Sequence, residues 1–459
     1  MRLQRRTLQA LAVLLLALAA AAAMPALGLT PRQAVTVGLL VGTIGLWATA
    51  AIPEPVTALA FMGLALVLGA GPPETVFAGF ASPALWLVAG GLLLAASTHA
   101  TGLGRRLAAV AGRRLGHSYA AAVGGVAVLA MGFAFIVPAA FGRVVIIVPL
   151  VQAMALALGL GRHRAGHHGL IAAAVLGTMA PGFAILTANL PNLVLAGAAE
   201  GLYGEQFGYG SYLLWHFPVL GLLKLPVIVL AVLRLFPDRI DGEDGIDEPG
   251  PWTAAEHRLL LLILATVALW ATDRLHGLPA GGLALLAGVL CLLPRIGFLD
   301  PARLGADLNV GTLFYVAGVL GLVRLVDASG LDALAASHLL PVALLQGASP
   351  GLVYAAVVGA GALLATVAGF PVAAAVLVPM AAPIAEAAGV PLIGVLMAIV
   401  AVFSFIVLPH QEAPVAVGIH LGGIPRGPAI RLLLITAAVF GFVLTPLHFL
   451  WLGLMGLFG

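Results

Sequence analysis

The sequence predicts an all-α polytopic membrane protein of about 11 transmembrane helices, arranged as an inverted repeat with two re-entrant hairpins and two broken helices. Three observations predict it. Of 459 residues, 62% are hydrophobic and 8% charged, with a mean hydropathy of +1.14, whereas a soluble protein carries about 25% charged residues. Two apolar stretches, Gly177 to Gly197 (GTMAPGFAILTANLPNLVLAG) and Leu408 to Val415 (LPHQEAPV), are interrupted by prolines and polar side chains. Proline removes a backbone donor and frees carbonyls that lipid cannot partner. Each stretch is therefore read as a helix broken inside protein, its half-ends facing a polar ligand. Finally, span, interfacial piece, hairpin and broken helix follow one another once in each half.

The composition also excludes. A net charge of +3, with arginines clustered beside the spans, argues for topology and against nucleic acid as a partner. The single Cys291 rules out a disulfide framework and a Cys-based metal site, and reads as apolar filler. No Ser/His or paired-carboxylate constellation stands out at a break, so the chain is not read as an enzyme and no cofactor is implied. Scarce lysine beside many arginines suggests a GC-rich bacterial genome.

In chain order, MRLQRR and the apolar run Leu8 to Leu27 resemble a signal peptide, but the run is long enough to span and another span follows at once. It reads as a first helix with its N-terminus held in the cytoplasm by Arg2, Arg5 and Arg6. Helices follow at Gln33 to Ile52, Val56 to Gly71 and Pro83 to Thr101. GLGRRLAAVAGRRLGHS is too basic to span and reads as an interfacial helix. Ala120 to Leu160, centred on Pro138, Gly142 and Arg143, reads as a re-entrant hairpin. The first broken helix runs from Leu170 to Ala199, and a sixth span from Tyr212 to Phe236. Spans at Leu259 to Thr272, Leu278 to Leu293 and Val310 to Val326 come next. A second interfacial piece (SGLDALAASHLL), a second hairpin (Val353 to Gly389, centred on Gly369), a second broken helix (Leu392 to Gly418) and a last span (Leu432 to Leu457) complete the chain.

This order divides the chain into five parts. Residues 1–117 and 258–340 are scaffold helices with their amphipathic pieces. Residues 118–236 and 341–459 are the two transport halves, and 237–257 is a hydrophilic cytoplasmic linker. An ungapped internal match, LWLVAGGLLLAASTHATGLGRRLAA from Leu85 against LFYVAGVLGLVRLVDASGLDALAAS from Leu313, pairs Gly90 with Gly318 and Gly102 with Gly330. The first interfacial piece carries Arg105, Arg106, Arg113 and Arg114, and its counterpart after Ser329 carries no Arg. By the positive-inside rule the repeats have opposite topology, the architecture of alternating-access transporters.

These motifs resemble the divalent anion/sodium symporter (DASS) family of the ion transporter superfamily, over nearly the whole chain. LWATAAIPEPVTALAFMGLALVLG from Leu46 is similar to the family's "WWxTEAxPLPVTAL" signature. FAGFASPALWLVAGGLLLAASTHATGLGRR from Phe77 is similar to its next span and amphipathic helix. LTANLPNLVLAG from Leu186 resembles its "TGTPPN" loop, and LPHQEAPVAVG from Leu408 its "LPxxTPPN" loop. The resemblance implies an elevator-type transporter in a bacterial inner membrane, usually a homodimer, moving a small anion (dicarboxylate or sulfate-like) with sodium or a proton. An arsenite-like or cation/proton-exchanger-like member of the same superfamily is the alternative.

Carried over residue by residue, the resemblance places the substrate at Pro138, Ala139, Ala140 and Arg143 of the first hairpin tip, and at Asn189, Pro191 and Asn192 of the first loop. In the second half it implies Gly369, Phe370 and Pro371 of the hairpin tip, with Gln411, Glu412 and Pro414 of the loop. Coupling-cation positions fall on Val137, Thr187 and Ala188, and on Thr366, His410 and Glu412. The chain departs from the family where each hairpin tip normally carries Ser-Asn-Thr. The first tip here reads Val137-Pro138-Ala139-Ala140-Phe141-Gly142-Arg143, and the second offers one hydroxyl, Thr366. Fewer side-chain oxygens weaken the case for sodium.

Arg143, costing from about 2.5 kcal/mol at mid-membrane unless compensated, is an anion clamp or a residue that reaches the interface or a local acid. Glu412 binds a cation or proton, pairs with Arg143, or caps a half-helix. His163, His167 and His168 read as interfacial, Glu386 as facing the outer interface, and Lys224 as countering an acid or snorkelling.

Overall fold

The computed structural model describes residues 2–49, 51–107, 118–137, 140–240, 250–307, 310–331 and 345–458. Pro138, Ala139, Arg113, Arg114 and most of both interfacial pieces lie outside them. The described residues fold into helices and connecting turns. The first scaffold part holds α1 (Arg2–Ala23), α2 (Pro31–Thr49), α3 (Glu54–Val67) and α4 (Pro83–Thr101). The first hairpin is α5 (Tyr119–Ile136) and α6 (Ala140–Ala157); α7 (Ala165–Met179) and α8 (Leu190–Tyr203) flank the first break, and α9 runs Tyr209–Leu235. The second half repeats this with α10 (Ala254–Ala271), α11 (Ala280–Leu292) and α12 (Val310–Ala328). The second hairpin pairs α13 (Pro350–Ala368) with α14 (Phe370–Leu377) and α15 (Ala381–Ala388). After it come α16 (Leu392–Val402), α17 (Ala413–Leu421) and α18 (Arg426–Leu454).

Nine described helices are long and apolar enough to cross a membrane, ten if α14 and α15, bent by 52° from each other, form one span. Three of the nine are hairpin arms (α5, α6 and α13), while of the eleven expected spans α2 is not among the nine, both broken helices are divided into shorter pieces, and α3 and α11 are short, with 14 and 13 residues. At 1.5 Å per residue each reaches only about 20 Å of a hydrocarbon core of about 30 Å.

These short helices show how the halves interlock. A Cβ on Gly90 of α4 would lie 2.1 Å from the Ala284 oxygen of α11, and one on Gly318 of α12 would lie 2.6 Å from Ala58 Cβ of α3. Each half's glycine-bearing span thus packs backbone-close on the short helix of the other half, which only a residue without a side chain permits. The aligned Gly102 and Gly330 both follow those spans with positive φ, +79° and +71°, where a left-handed residue ends a helix.

The two long spans are also alike. Each contains a π-helical segment, Phe217–Leu222 in α9 and Phe440–Leu444 in α18, beside Pro218 and Pro446. A proline has no N–H to give the turn before it, and widening that turn relieves the clash. At one end of the molecule Arg106 Nε meets Glu256 Oε1 at 2.8 Å, and Arg164 pairs with Asp238. These pairs fasten both described ends of the linker.

Candidate transport site

Both breaks form as the prolines require. The chain leaves α7 at Met179, makes a 3₁₀ turn at Pro181–Ala184 and a further turn closed by Ala188 N–H on Ile185 O, and reaches Asn189, the residue before α8. In the second half it leaves α16 at Val402, makes a 3₁₀ turn at Pro409–Gln411 and enters α17 after Glu412. Pro191 and Pro414 sit at the first positions of their half-helices, where a missing N–H costs nothing. Phe183 of the first break, Phe403 of the second and Phe370 of the second hairpin form a buried triangle of rings, with centroids 5.5, 5.5 and 5.6 Å apart.

Arg143 is fully buried and turned into the first break. Its Nε donates to Thr178 Oγ1 at 2.8 Å, and Nη1 donates to Val137 O at 2.8 Å and Ala188 O at 2.7 Å. Nη2 donates to Asn189 Oδ1 at 2.7 Å and Thr178 O at 3.4 Å. A guanidinium has five N–H donors, and protein oxygens take all five. It forms no ion pair with Glu412 and reaches no interface. Val137 and Ala188, both expected to offer carbonyls to a coupling cation, offer them to this side chain. Gly182 makes room, since a Cβ there would sit 3.2 Å from Nη2 and 3.1 Å from Asn189 Nδ2. Asn189 Nδ2 donates to Met179 O at 3.1 Å, and Asn192 Nδ2 to Ile185 O at 2.8 Å, so both amides hold the loop.

The second break is tied by Gln411. Its Oε1 accepts from the N–H groups of Val407 and Leu408 at 2.7 and 2.8 Å, and its Nε2 donates to Phe405 O at 3.0 Å. His410 Nε2 reaches Thr366 O at 2.9 Å and joins this loop to the second hairpin, while the Thr366 hydroxyl donates back to Ala362 O. Glu412 precedes α17 but makes no capping bond, and its Oε1 is buried without a partner. Ser404 Oγ and Asn192 Oδ1 are likewise buried and unpartnered. Such orphaned oxygens cost about 1–3 kcal/mol each when nothing donates to them.

A cavity of about 650 Å³ lies between these loops and residues of α2, α3, α4 and α12. Of the expected residues, Ala140, Thr187, Gly369, Pro371, His410, Gln411, Glu412 and Pro414 line it. Arg143, Asn189, Pro191, Asn192, Phe370, Val137, Ala188 and Thr366 do not; they hold the loops from behind. Helices α2, α3, α4 and α12 contribute Glu54, His99, Thr312, Tyr315 and Trp47, whose ring meets Tyr315 edge-on at 5.2 Å. Glu54, an acid between two prolines in an apolar signature, was not among the expected site residues. Among the described residues the lining carries two carboxylates and no Arg or Lys. Elsewhere Glu386 is exposed, and the described residues include no group of three or more His, Cys, Asp or Glu able to hold a metal.

Residues 5–455 match the model of the sodium:sulfate symporter transmembrane region, and the chain belongs to that family. It is a transporter family and the one the sequence motifs resembled. The chain is 27% identical to a membrane protein of Cupriavidus necator over 62% of this chain and 60% of the relative. It is 25% identical to the inner membrane protein YbhI of Escherichia coli over 60% of this chain and 61% of that protein. The matched region thus spans about three fifths of the length of these curated relatives. The fold is similar to that of the Alcanivorax borkumensis YdaH transporter, with a TM-score of 0.52 and 16% identity over 83% of this chain and 86% of the other.

Proposed function

We propose that this chain is a secondary transporter carrying a small anion, a dicarboxylate or sulfate-like oxyanion, with a coupling proton taken up at Glu412. It works in a bacterial inner membrane as a homodimer, by an elevator movement of the two hairpins and two broken helices against the scaffold. One observation carries this reading: a buried carboxylate with an unpartnered oxygen, Glu412, lines a cavity with no Arg or Lys among its described residues. An anion entering beside Glu54 and Glu412 is repelled until positive charge enters with it, and that requirement is coupling. In the first half Arg143 already supplies the cation to the oxygens of the hairpin and loop, which removes the need for sodium there. The fold of α8 and α17, whose N-terminal ends lie at the breaks, suits the anion.

The test is uptake of labelled sulfate, succinate and citrate into proteoliposomes under separate proton and sodium gradients. Accumulation driven by the proton gradient supports the reading, and accumulation driven only by sodium overturns the proton assignment. The same acid-lined cavity favours a second reading, a cation/proton exchanger. Proton release driven by a monovalent cation, with no uptake of any anion, selects that one.

A further inference from the structure

We propose that Lys224 is a second proton-carrying residue, set at the first break behind the cavity and working with the hydrogen-bonded chain His216–His448–Tyr354. Lys224 is fully buried where α9 leaves its π-helical segment. Its Nζ donates to Ala180 O at 3.2 Å, a carbonyl at the end of α7, and lies 5.1 Å from the centre of the Phe440 ring, where the π-helical segment of α18 begins. No carboxylate pairs with it among the described residues, so it neither counters an acid nor reaches the interface. A half-helix C-terminal end is where a broken-helix transporter holds a cation. Arg143 fills the neighbouring oxygens with a charge that cannot be discharged, whereas an ammonium can give up its proton.

At the other end of the same two π-helical segments the buried polar groups form a chain, with no counter-ion among them. Tyr354 Oη lies 2.8 Å from His448 Nδ1, His448 Nε2 lies 2.9 Å from His216 Nδ1, and His216 Nε2 lies 3.2 Å from Met397 Sδ. All three polar side chains are buried, and His216 and His448 stand on α9 and α18, the two helices whose π-helical segments flank Lys224. The Tyr212 ring meets His216 edge-on at 4.5 Å, and its hydroxyl donates to Phe183 O. Of the other titratable groups on packed elements, Tyr119 of α5 and His167 and His168 of α7 sit near the Leu235 end of α9. Arg426 and Arg431 lie more than two turns before Phe440. One positive charge in a pocket without an acid excludes a second. Lys224 and the imidazole pair therefore hold at most one proton between them, and the pair takes one up from water only while Nζ is a neutral amine. None of these residues lines the cavity. The coupling role rests on the transporter reading above; the proton site does not.

The test uses the full chain labelled with ¹⁵N-histidine in lipid nanodiscs without substrate. The signals of the two rings, assigned with H216Q and H448Q, should move together in one step between about pH 5 and 9. K224R, which keeps its charge at every pH, should abolish that step, whereas K224Q, which lifts the exclusion, should let the rings take up a proton on their own and move the step to higher pH. A step that persists in K224R, or no movement in the wild type, overturns the proposal even if K224Q fails to fold. In proteoliposomes K224Q should lose proton-driven accumulation of ³⁵S-sulfate, and full accumulation overturns the coupling role. A wild type that carries no sulfate counts against the anion reading alone, because the ring signals still decide on the proton site.

Discussion

Arg143 and Asn189 meet across the first break, Nη2 donating to Oδ1 at 2.7 Å while the same carboxamide donates to Met179 O at 3.1 Å. A charge of the hairpin and an amide of the loop thus hold one another and the end of α7. This is a buried network in which each partner's hydrogen-bonding capacity is used, and breaking it exposes several acceptors at once.

Arg143→Ala should therefore destabilise the protein by about 3–5 kcal/mol, the cost of leaving buried partners of a charge unmatched. Arg143→Lys keeps the charge but has three donors instead of five, and should recover only part of the loss. Thermal unfolding in detergent measures both. An Arg143→Ala protein with the melting temperature of the wild type would show that the guanidinium does not hold the break.

Glu412→Gln keeps the shape of the side chain and removes its proton exchange. Proteoliposomes with a trapped pH dye should still show anion exchange at equal pH, with no proton entering alongside the anion. Proton entry at the wild-type ratio would place the coupling group elsewhere.

Gly369 closes the second hairpin tip at φ +83°, ψ 164°, with its Cα facing Gln411 O. An L-residue is strained there by about 1–3 kcal/mol, and a Cβ would approach that oxygen to 3.3 Å. Gly369→Ala should lower the melting temperature and slow uptake, while Gly359→Ala, in open space on the same hairpin, should do neither.

Asp238 follows α9 and accepts from Arg164 and from the N–H groups of Gly166 and Arg239. The Arg164 guanidinium holds its carboxyl below the usual carboxylate range. A group lowered on folding contributes stability above its unfolded pKa, about 4, and loses it as pH falls through the folded value. The melting temperature of the wild type should therefore fall more steeply than that of Asp238→Asn as the pH drops below about 4; equal slopes would dismiss the pair as a contributor.

The two breaks were legible because proline and apolar context leave few alternatives in a bilayer. The loop residues Asn189 and Gln411 were legible only as positions. Both turn inward to tie their own loops, and whether an amide faces its loop or a cavity depends on neighbours far away in sequence. Arg143 is the clearest case. Its charge was conspicuous, but its acceptors come from the hairpin tip, the α7 end and the loop, and only folding gathers those oxygens. Glu54 was overlooked for the same reason, since nothing local says that α3 faces α17's loop.

The sequence by itself determined the membrane class, the two halves, the glycines at which they cross and the places where helices must break. Periodicity, proline and glycine act locally, and a bilayer punishes each unpaired backbone group. Tertiary structure alone decided which oxygens meet which charge. It sent Arg143 into the first break, left Glu412 without a partner in an acid-lined cavity, and set Lys224 between two π-helical turns. Those outcomes depend on distances between segments far apart in the chain, which no local pattern encodes.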